Sequence, residues 1–169
     1  APWVGALIKD VKQPILLVGD DGRIEEVITR LSRVGFDNTI GYLKGGFAAW
    51  TADHREVDSI RSIPASSFEQ EVTENKLPVF DMRKQGEWDS SHLEGAHHVC
   101  LSGLNEHLAE FPKNKNFYVH CAGGYRSVIA SSILKMRGYH NFTDVAGGFD
   151  AIQATHLPVT EEVCPSTLK

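Results

Sequence analysis

Two hydrophobic patterns alternate along this chain. One is the short apolar run, as in Ile15-Leu16-Leu17-Val18, Pro78-Val79-Phe80-Asp81 and Phe117-Tyr118-Val119-His120. Runs of that length, rich in β-branched and aromatic residues, predict buried strands. The other is a recurrence at every third or fourth position. Ile24, Val27, Ile28 and Leu31 fall on one face of a helix from Ile24 to Val34, and an amphipathic helix follows Arg126. A shorter helix is expected from Leu104 to Phe111, closed by Pro112. Ile63-Pro64-Ala65-Ser66-Ser67-Phe68 predicts a strand leading into a helix capped by Ser66 or Ser67. Gly95-Ala96-His97-His98-Val99 and Phe142-Thr143-Asp144-Val145 lead into or form further strands. Strands alternating with helices predict an α/β fold with a mostly parallel sheet. Active groups in such sheets gather at the carboxyl ends of strands, and Asp81 and Cys121 both stand at such ends.

The pattern also repeats. Gly35-Phe36-Asp37-Asn38 is echoed by Gly138-Tyr139-His140-Asn141, and each leads shortly to Gly-Gly-Phe, at 45–47 and 147–149. Laying Gly35 on Gly138 puts Arg23 on Arg126 and Val18 on Cys121. The first copy thus keeps the scaffold without the nucleophile. It holds strand, loop, helix, strand and helix, whereas the second copy has the same set preceded by further elements. Residues 1–57 therefore read as the back half of a silent unit, 58–152 as a complete one, and 153–169 as an irregular tail. Two strands and two helices cannot bury a full core alone. The half unit is expected to pack on the second unit or on another chain, a homodimer being one form of this.

The chemistry concentrates in residues 116–136. A strand delivers Cys121, a four-residue spacer from Ala122 to Tyr125 contains Gly123 and Gly124, and Arg126 opens a helix. A helix N-terminus and a tight loop aim unbonded N–H groups at one point. A thiol held there is expected as a thiolate, with a pKa in the range of roughly 3.5–7.5. Arg126 offers planar, bidentate donors to an oxyanion or to a neighbouring loop.

Composition narrows the field without pointing further. The chain is 41% hydrophobic and 23% charged with a net charge of −5, which argues against a nucleic-acid surface. Three cysteines, Cys100, Cys121 and Cys164, are irregularly spaced, so neither a disulfide framework nor a zinc site is expected. An unpaired reactive thiol fits a cytoplasmic location, and no apolar stretch approaches the ~20 residues of a membrane span. The start at Ala1-Pro2-Trp3-Val4 has neither a basic leader nor an initiator methionine, so a longer parent protein is expected.

These motifs together resemble the rhodanese family. Val79-Phe80-Asp81-Met82-Arg83 resembles its Asp-Val-Arg strand end. Glu87-Trp88 and Ser91-His92-Leu93-Glu94-Gly95-Ala96 resemble its Glu-Phe/Tyr and Gly-His-Ile-x-Gly-Ala signature. Cys121 to Arg126 resembles its six-residue active loop, and Asp144-Val145-Ala146-Gly147-Gly148-Phe149 its closing element. Ser91 and Ile152 depart from the usual Gly and Trp. The resemblance implies a five-stranded, mostly parallel sheet flanked by helices, preceded by a partial unit of the same kind. It implies sulfane-sulfur transfer from thiosulfate or a low-molecular-weight persulfide, such as glutathione persulfide, to a thiol. Cys121 would be the nucleophile, Arg126 a catalytic or anchoring cation, and Ala122, Gly123, Gly124, Tyr125, Asp81 and Arg83 the substrate contacts. The pairing of units and the Cys164-Pro165-Ser166-Thr167-Leu168 run resemble the C-terminal part of bacterial metallo-β-lactamase-fold proteins fused to rhodanese domains, which resemble persulfide dioxygenases or glyoxalase-II-like hydrolases. A zinc or iron site is expected in that absent N-terminal part and no cofactor in these residues.

Two rivals stand beside this reading. Cys-dependent phosphatases and arsenate reductases share the thiolate loop, and His120-Cys121 echoes them, but their five-residue spacer wraps a larger oxyanion than four residues can. A silent binding module is the other. Anchoring of loops is the alternative role for Asp81 and Arg83. His92 is expected as a hydrogen-bonded histidine, and His97 and His98 must point to opposite faces of a strand. Cys100 is expected in the core, Cys164 as a candidate resolving thiol, Tyr125 as a gate, and Trp3 and Trp50 in packing.

Overall fold

The computed structural model describes residues 3–160. The chain divides into two compact units, Ala1–Ser59 and Ile60–Lys169.

The second unit is an α/β fold built on five strands. They are β3 (Ser62–Pro64), β4 (Val79–Asp81), β5 (His97–His98), β6 (Phe117–His120) and β7 (Phe142–Ala146). They lie in the order β3-β7-β6-β4-β5, and every pairing is parallel. The helices are α4 (Ala65–Asn75), α5 (Gln85–Ser90), α6 (Tyr125–Met136) and α7 (Gly148–Ile152). All four residues of β6 are buried, as expected of a central strand covered on both faces. On one face Phe68 meets the Tyr118 ring edge-on at 5.0 Å, in a core shared with Ile63, Val79, Val145 and Ile152. Elsewhere Phe80 stacks on Phe111 at 4.3 Å and meets Phe117 edge-on.

Several local expectations are corrected. Leu104 to Phe111 is not one helix; short 3-10 turns occupy Leu101–Gly103 and Leu108–Glu110. Phe111 has extended backbone (φ −79°, ψ 129°) and stacks on Phe80. α4 starts at Ala65, so Ser66 and Ser67 lie inside its first turn, and Pro64 stands at the cap position without a side-chain cap. Cys100 is half-buried, with Sγ 3.2 Å from Ser102 Oγ. The segment after α7 is irregular but tied down: Val159 bridges Leu93 in antiparallel fashion, and Ser91 Oγ donates to Thr160 O. Cys164 lies outside the described residues.

The first unit contains α1 (Val4–Leu7), β1 (Ile15–Leu17), α2 (Ile24–Ser32), β2 (Thr39–Tyr42) and α3 (Gly46–Ala52). β1 and β2 pair in parallel. The backbone reproduces details of β6-α6-β7-α7. Gly45 and Gly46 have φ of +77° and +58°, and Gly147 and Gly148 have the same two values; Gly35 and Gly138 stand at +88° and +86°. Such angles favour glycine. In each copy the second glycine of the pair lies against the loop after the first strand of that copy, Gly46 on Gly19 after β1 and Gly148 on Ala122 after β6. Leu16, Ile40 and Phe47 are largely exposed.

Candidate active site

The loop between β6 and α6 carries the site. Cys121 follows directly on His120, and its side chain is buried. Gly124 takes φ +96° at the N-cap of α6, a left-handed conformation that turns its N–H inward. That N–H donates to Cys121 Sγ at 3.2 Å. The thiol lies 3.7 Å from Ser127 Oγ, which donates to Gly124 O at 3.1 Å. The floor of the loop is set by α7. Phe149 N donates to Cys121 O at 2.6 Å and Asp150 N to Ala122 O at 3.1 Å. This close approach is why position 148 has no β-carbon: one there would stand 2.7 Å from the Ala122 carbonyl carbon and nearer still to the Ala122 and Cys121 oxygens.

The cations around the loop are engaged. Arg126, in the first turn of α6, forms a two-pronged pair with Glu87 of α5, Nη1 to Oε2 at 2.5 Å and Nη2 to Oε1 at 2.7 Å. The Arg126 hydrogen bonds hold the Glu87 carboxyl below its ordinary range, and Glu87 in turn raises the Arg126 guanidinium. Arg83 is buried against Asp81, with Nε at 2.8 Å and Nη2 at 2.7 Å from Oδ2. Arg83 Nη2 also donates to Ser91 O at 2.7 Å, and its guanidinium stacks 3.8 Å above the Phe149 ring. An open pocket of about 340 Å³ lies beside the loop, its lining including Arg83, Glu87, Ser91, Ala122, Phe149 and Asp150.

Behind the loop, His120 is wholly buried. Its Nδ1–H donates to Cys121 O at 3.2 Å, while Nε2 has no hydrogen-bond partner and sits 3.9 Å from Asp81 Oδ2. Burial pushes its pKa down, outweighing the opposing pull of the Asp81 carboxylate. Among the described residues, no group of three or more His, Cys, Asp or Glu side chains is placed to hold a metal ion. Nor is any described helix long and apolar enough to cross a membrane.

The rhodanese-like domain model matches residues 64–155, more than half of the chain. The chain belongs to the rhodanese-like domain family. A solved rhodanese-related protein from Thermoplasma volcanium is 29% identical with a TM-score of 0.54, covering 60% of this chain and 99% of its own. Thiosulfate sulfurtransferase GlpE of Coxiella burnetii is 26% identical over 85 residues, 50% of this chain and 79% of GlpE. YrkF of Bacillus subtilis, whose name proposes a sulfur-carrier role, is 29% identical over 91 residues, 53% of this chain. The match spans 49% of YrkF's length.

Within the rhodanese-like domain, Ala122, Gly123, Gly124, Tyr125 and Arg126 surround or follow Cys121, and Tyr125 is 69% exposed at the start of α6. Arg83 lines that pocket, whereas Asp81 is fully buried. Asp81 therefore holds Arg83 rather than facing the pocket. His92 Nδ1 lies 2.9 Å from Trp88 O, and its ring stacks on Trp88 at 3.7 Å. His98 turns to Arg83 O at 2.9 Å while His97 stacks on Phe80. The sequence reasoning left out Glu87, Ser127 and Asp150 as site residues. Ser127, six residues after Cys121, carried a weak helical signal. Glu87 lies 39 positions from its partner Arg126 and carried none beyond its motif.

Proposed function

We propose that the second unit is a sulfurtransferase that passes sulfane sulfur through a persulfide on Cys121. The observation that carries this is the Cys121 sulfur, held at a parallel strand end under the Gly124 N–H in a loop of four intervening residues. The Cys121 thiolate attacks the outer sulfur of the donor. From thiosulfate the sulfur–sulfur bond breaks and sulfite leaves with its electron pair; from an organic persulfide a thiolate leaves. The Cys121 persulfide then yields its outer sulfur to an acceptor thiolate, which regenerates the Cys121 thiolate. Two half-reactions of this kind give ping-pong kinetics. Arg126, tied to Glu87, holds the loop to α5. In this reading Ala122, Gly123, Gly124, Tyr125 and Arg83 remain the substrate contacts, and Asp81, the sixth expected from the sequence, acts by holding Arg83.

The first unit is read as the back half of a silent rhodanese-like unit, supported by its matching glycine angles and by Val18 where Cys121 would stand. The further reading, a C-terminal part of a metallo-β-lactamase-fold fusion, rests on sequence resemblance alone. The near-zero exposure of Cys121, 1%, favours a second reading, a non-catalytic binding module. Mass spectrometry after incubation with thiosulfate or glutathione persulfide separates the two. Catalysis predicts a gain of one sulfur atom on Cys121 and thiosulfate:cyanide turnover lost in Cys121→Ser. A wild-type protein that never gains sulfur would leave only the binding role.

A further inference from the structure

Cys121 has a second polar neighbour besides the Gly124 N–H. Ser127 lies in the first turn of α6 and is fully buried, with Oγ 3.7 Å from Cys121 Sγ. The same hydroxyl donates to Gly124 O at 3.1 Å. A hydroxyl has one proton and two lone pairs, so in this arrangement it accepts from the thiol while its own proton is held by the carbonyl. A thiolate reverses the requirement, because it has no proton to give and only accepts. Rotation about the Ser127 Cβ–Oγ bond then turns the proton from Gly124 O to Sγ. That turn does not orphan the carbonyl, since Val128 N also donates to it, at 3.4 Å. With Cys121 1% and Ser127 0% exposed, solvent has no ready access to take over the role.

We propose, building on the sulfur-transfer reading above, that Ser127 is a catalytic residue whose hydroxyl turns between Gly124 O and Cys121 Sγ as the sulfur changes charge. In the resting thiolate, Sγ accepts from both the Gly124 N–H and the Ser127 O–H. When Sγ attacks the outer sulfur of thiosulfate, its electron pair enters the new sulfur–sulfur bond. Sulfite leaves with the pair of the bond that breaks, and the hydroxyl returns to Gly124 O. When an acceptor takes the outer sulfur, the Cys121 sulfur–sulfur bond breaks and its electron pair returns to Sγ, which leaves as a thiolate and draws the hydroxyl back. Ser127 neither gains nor loses a proton. The two half-reactions feel this donor in opposite senses. A hydrogen-bonded thiolate is more abundant but intrinsically less nucleophilic, and it is a better leaving group. Ser127 therefore favours unloading at every pH, and loading only where the thiol would otherwise predominate.

Ser127→Ala removes the hydroxyl with little change of volume. Ser131→Ala is the matched control, because Ser131 is also buried on α6, one turn further on, and its Oγ has no hydrogen-bond partner. Three rates are compared in the full chain: alkylation of Cys121 by iodoacetamide across pH, sulfur gain from thiosulfate by intact-protein mass spectrometry, and release of sulfur from the persulfide to cyanide. In Ser127→Ala the alkylation profile is expected to move to higher pH by about one unit, as loss of one charge-assisted hydrogen bond requires. Loading is expected to fall about tenfold on the acid side of the profile and to recover on the alkaline side. Unloading is expected to stay about threefold slower throughout. The charges around and behind the loop, the Arg126–Glu87 and Arg83–Asp81 pairs, His120, Asp144 and Asp150, are the same in all three proteins, so a displaced profile reports the hydroxyl. An unmoved profile, or a loss of loading that alkaline pH does not restore, overturns the proposal while leaving sulfur transfer intact, and so does an equal effect in Ser131→Ala. Failure of the wild-type protein to gain sulfur from either thiosulfate or glutathione persulfide overturns the sulfur-transfer reading itself.

Discussion

Gly148→Ala probes whether α7 shapes the active loop. The substitution asks alanine to hold φ +58°, which costs roughly 1–2 kcal/mol for a residue with a β-carbon. It also places that carbon 2.7 Å from the Ala122 carbonyl carbon. Ordinary carbon–carbon contacts lie near 3.5–4.0 Å, so the loop must retreat by roughly 1 Å. Forced repacking of this kind costs a further ~1–3 kcal/mol. The sum corresponds to a fall in melting temperature of roughly 10–20 °C for a domain of this size. The hydrogen bonds from Phe149 and Asp150 to the loop carbonyls are lost with the retreat, and the sulfur leaves its place under Gly124. A misplacement of about 1 Å costs on the order of 100-fold in rate. Calorimetry gives the first quantity and the initial rate of sulfur gain on Cys121 the second. Gly46→Ala is the matched control, because its β-carbon would stand 2.6 Å from Gly19 O at the same φ, in the unit without the cysteine. It is expected to lower stability and leave loading of the folded protein unchanged. Wild-type loading and melting in Gly148→Ala, or equal loss of loading in the two variants, would refute the reasoning.

Two further outcomes follow from the buried charges. Asp81→Ala strands the Arg83 guanidinium in the core, and breaking a buried pair in this way costs about 3–5 kcal/mol, readable as a lower urea midpoint with unchanged slope. His120 is held neutral by burial, so its folded-state pKa lies below its unfolded one. As pH falls through about 6.5 the unfolded chain gains a proton that the folded one does not, and stability declines by up to about 1.4 kcal/mol per pH unit from this group. Urea unfolding between pH 7.5 and 5 is expected to show that decline, flattened in His120→Asn; an equal slope in the variant would remove His120 as its source.

Much of this molecule was legible as a linear pattern. The apolar runs of β4 and β6 marked strands because central strands of a parallel sheet are buried on both sides and need no polar alternation. Glycines 45, 46, 147 and 148 marked turns because left-handed backbone angles exclude most other residues, and they carried the internal repeat. The Cys121 loop was legible because strand, glycine and helix start are contiguous. What sequence could not decide was everything set by approach between distant elements. Phe111 ends in extended backbone against the Phe80 ring, a contact between residues 31 positions apart in the chain that no local pattern encodes. Asp81 became the anchor of Arg83 because β4 ends in the interior. Arg126 faced inward because α5 brought Glu87 to it, although 39 residues separate the two. A residue type and its spacing establish which chemistry is available; the partners that neutralise, orient or expose it come from the packing of elements, and only the tertiary structure supplies those.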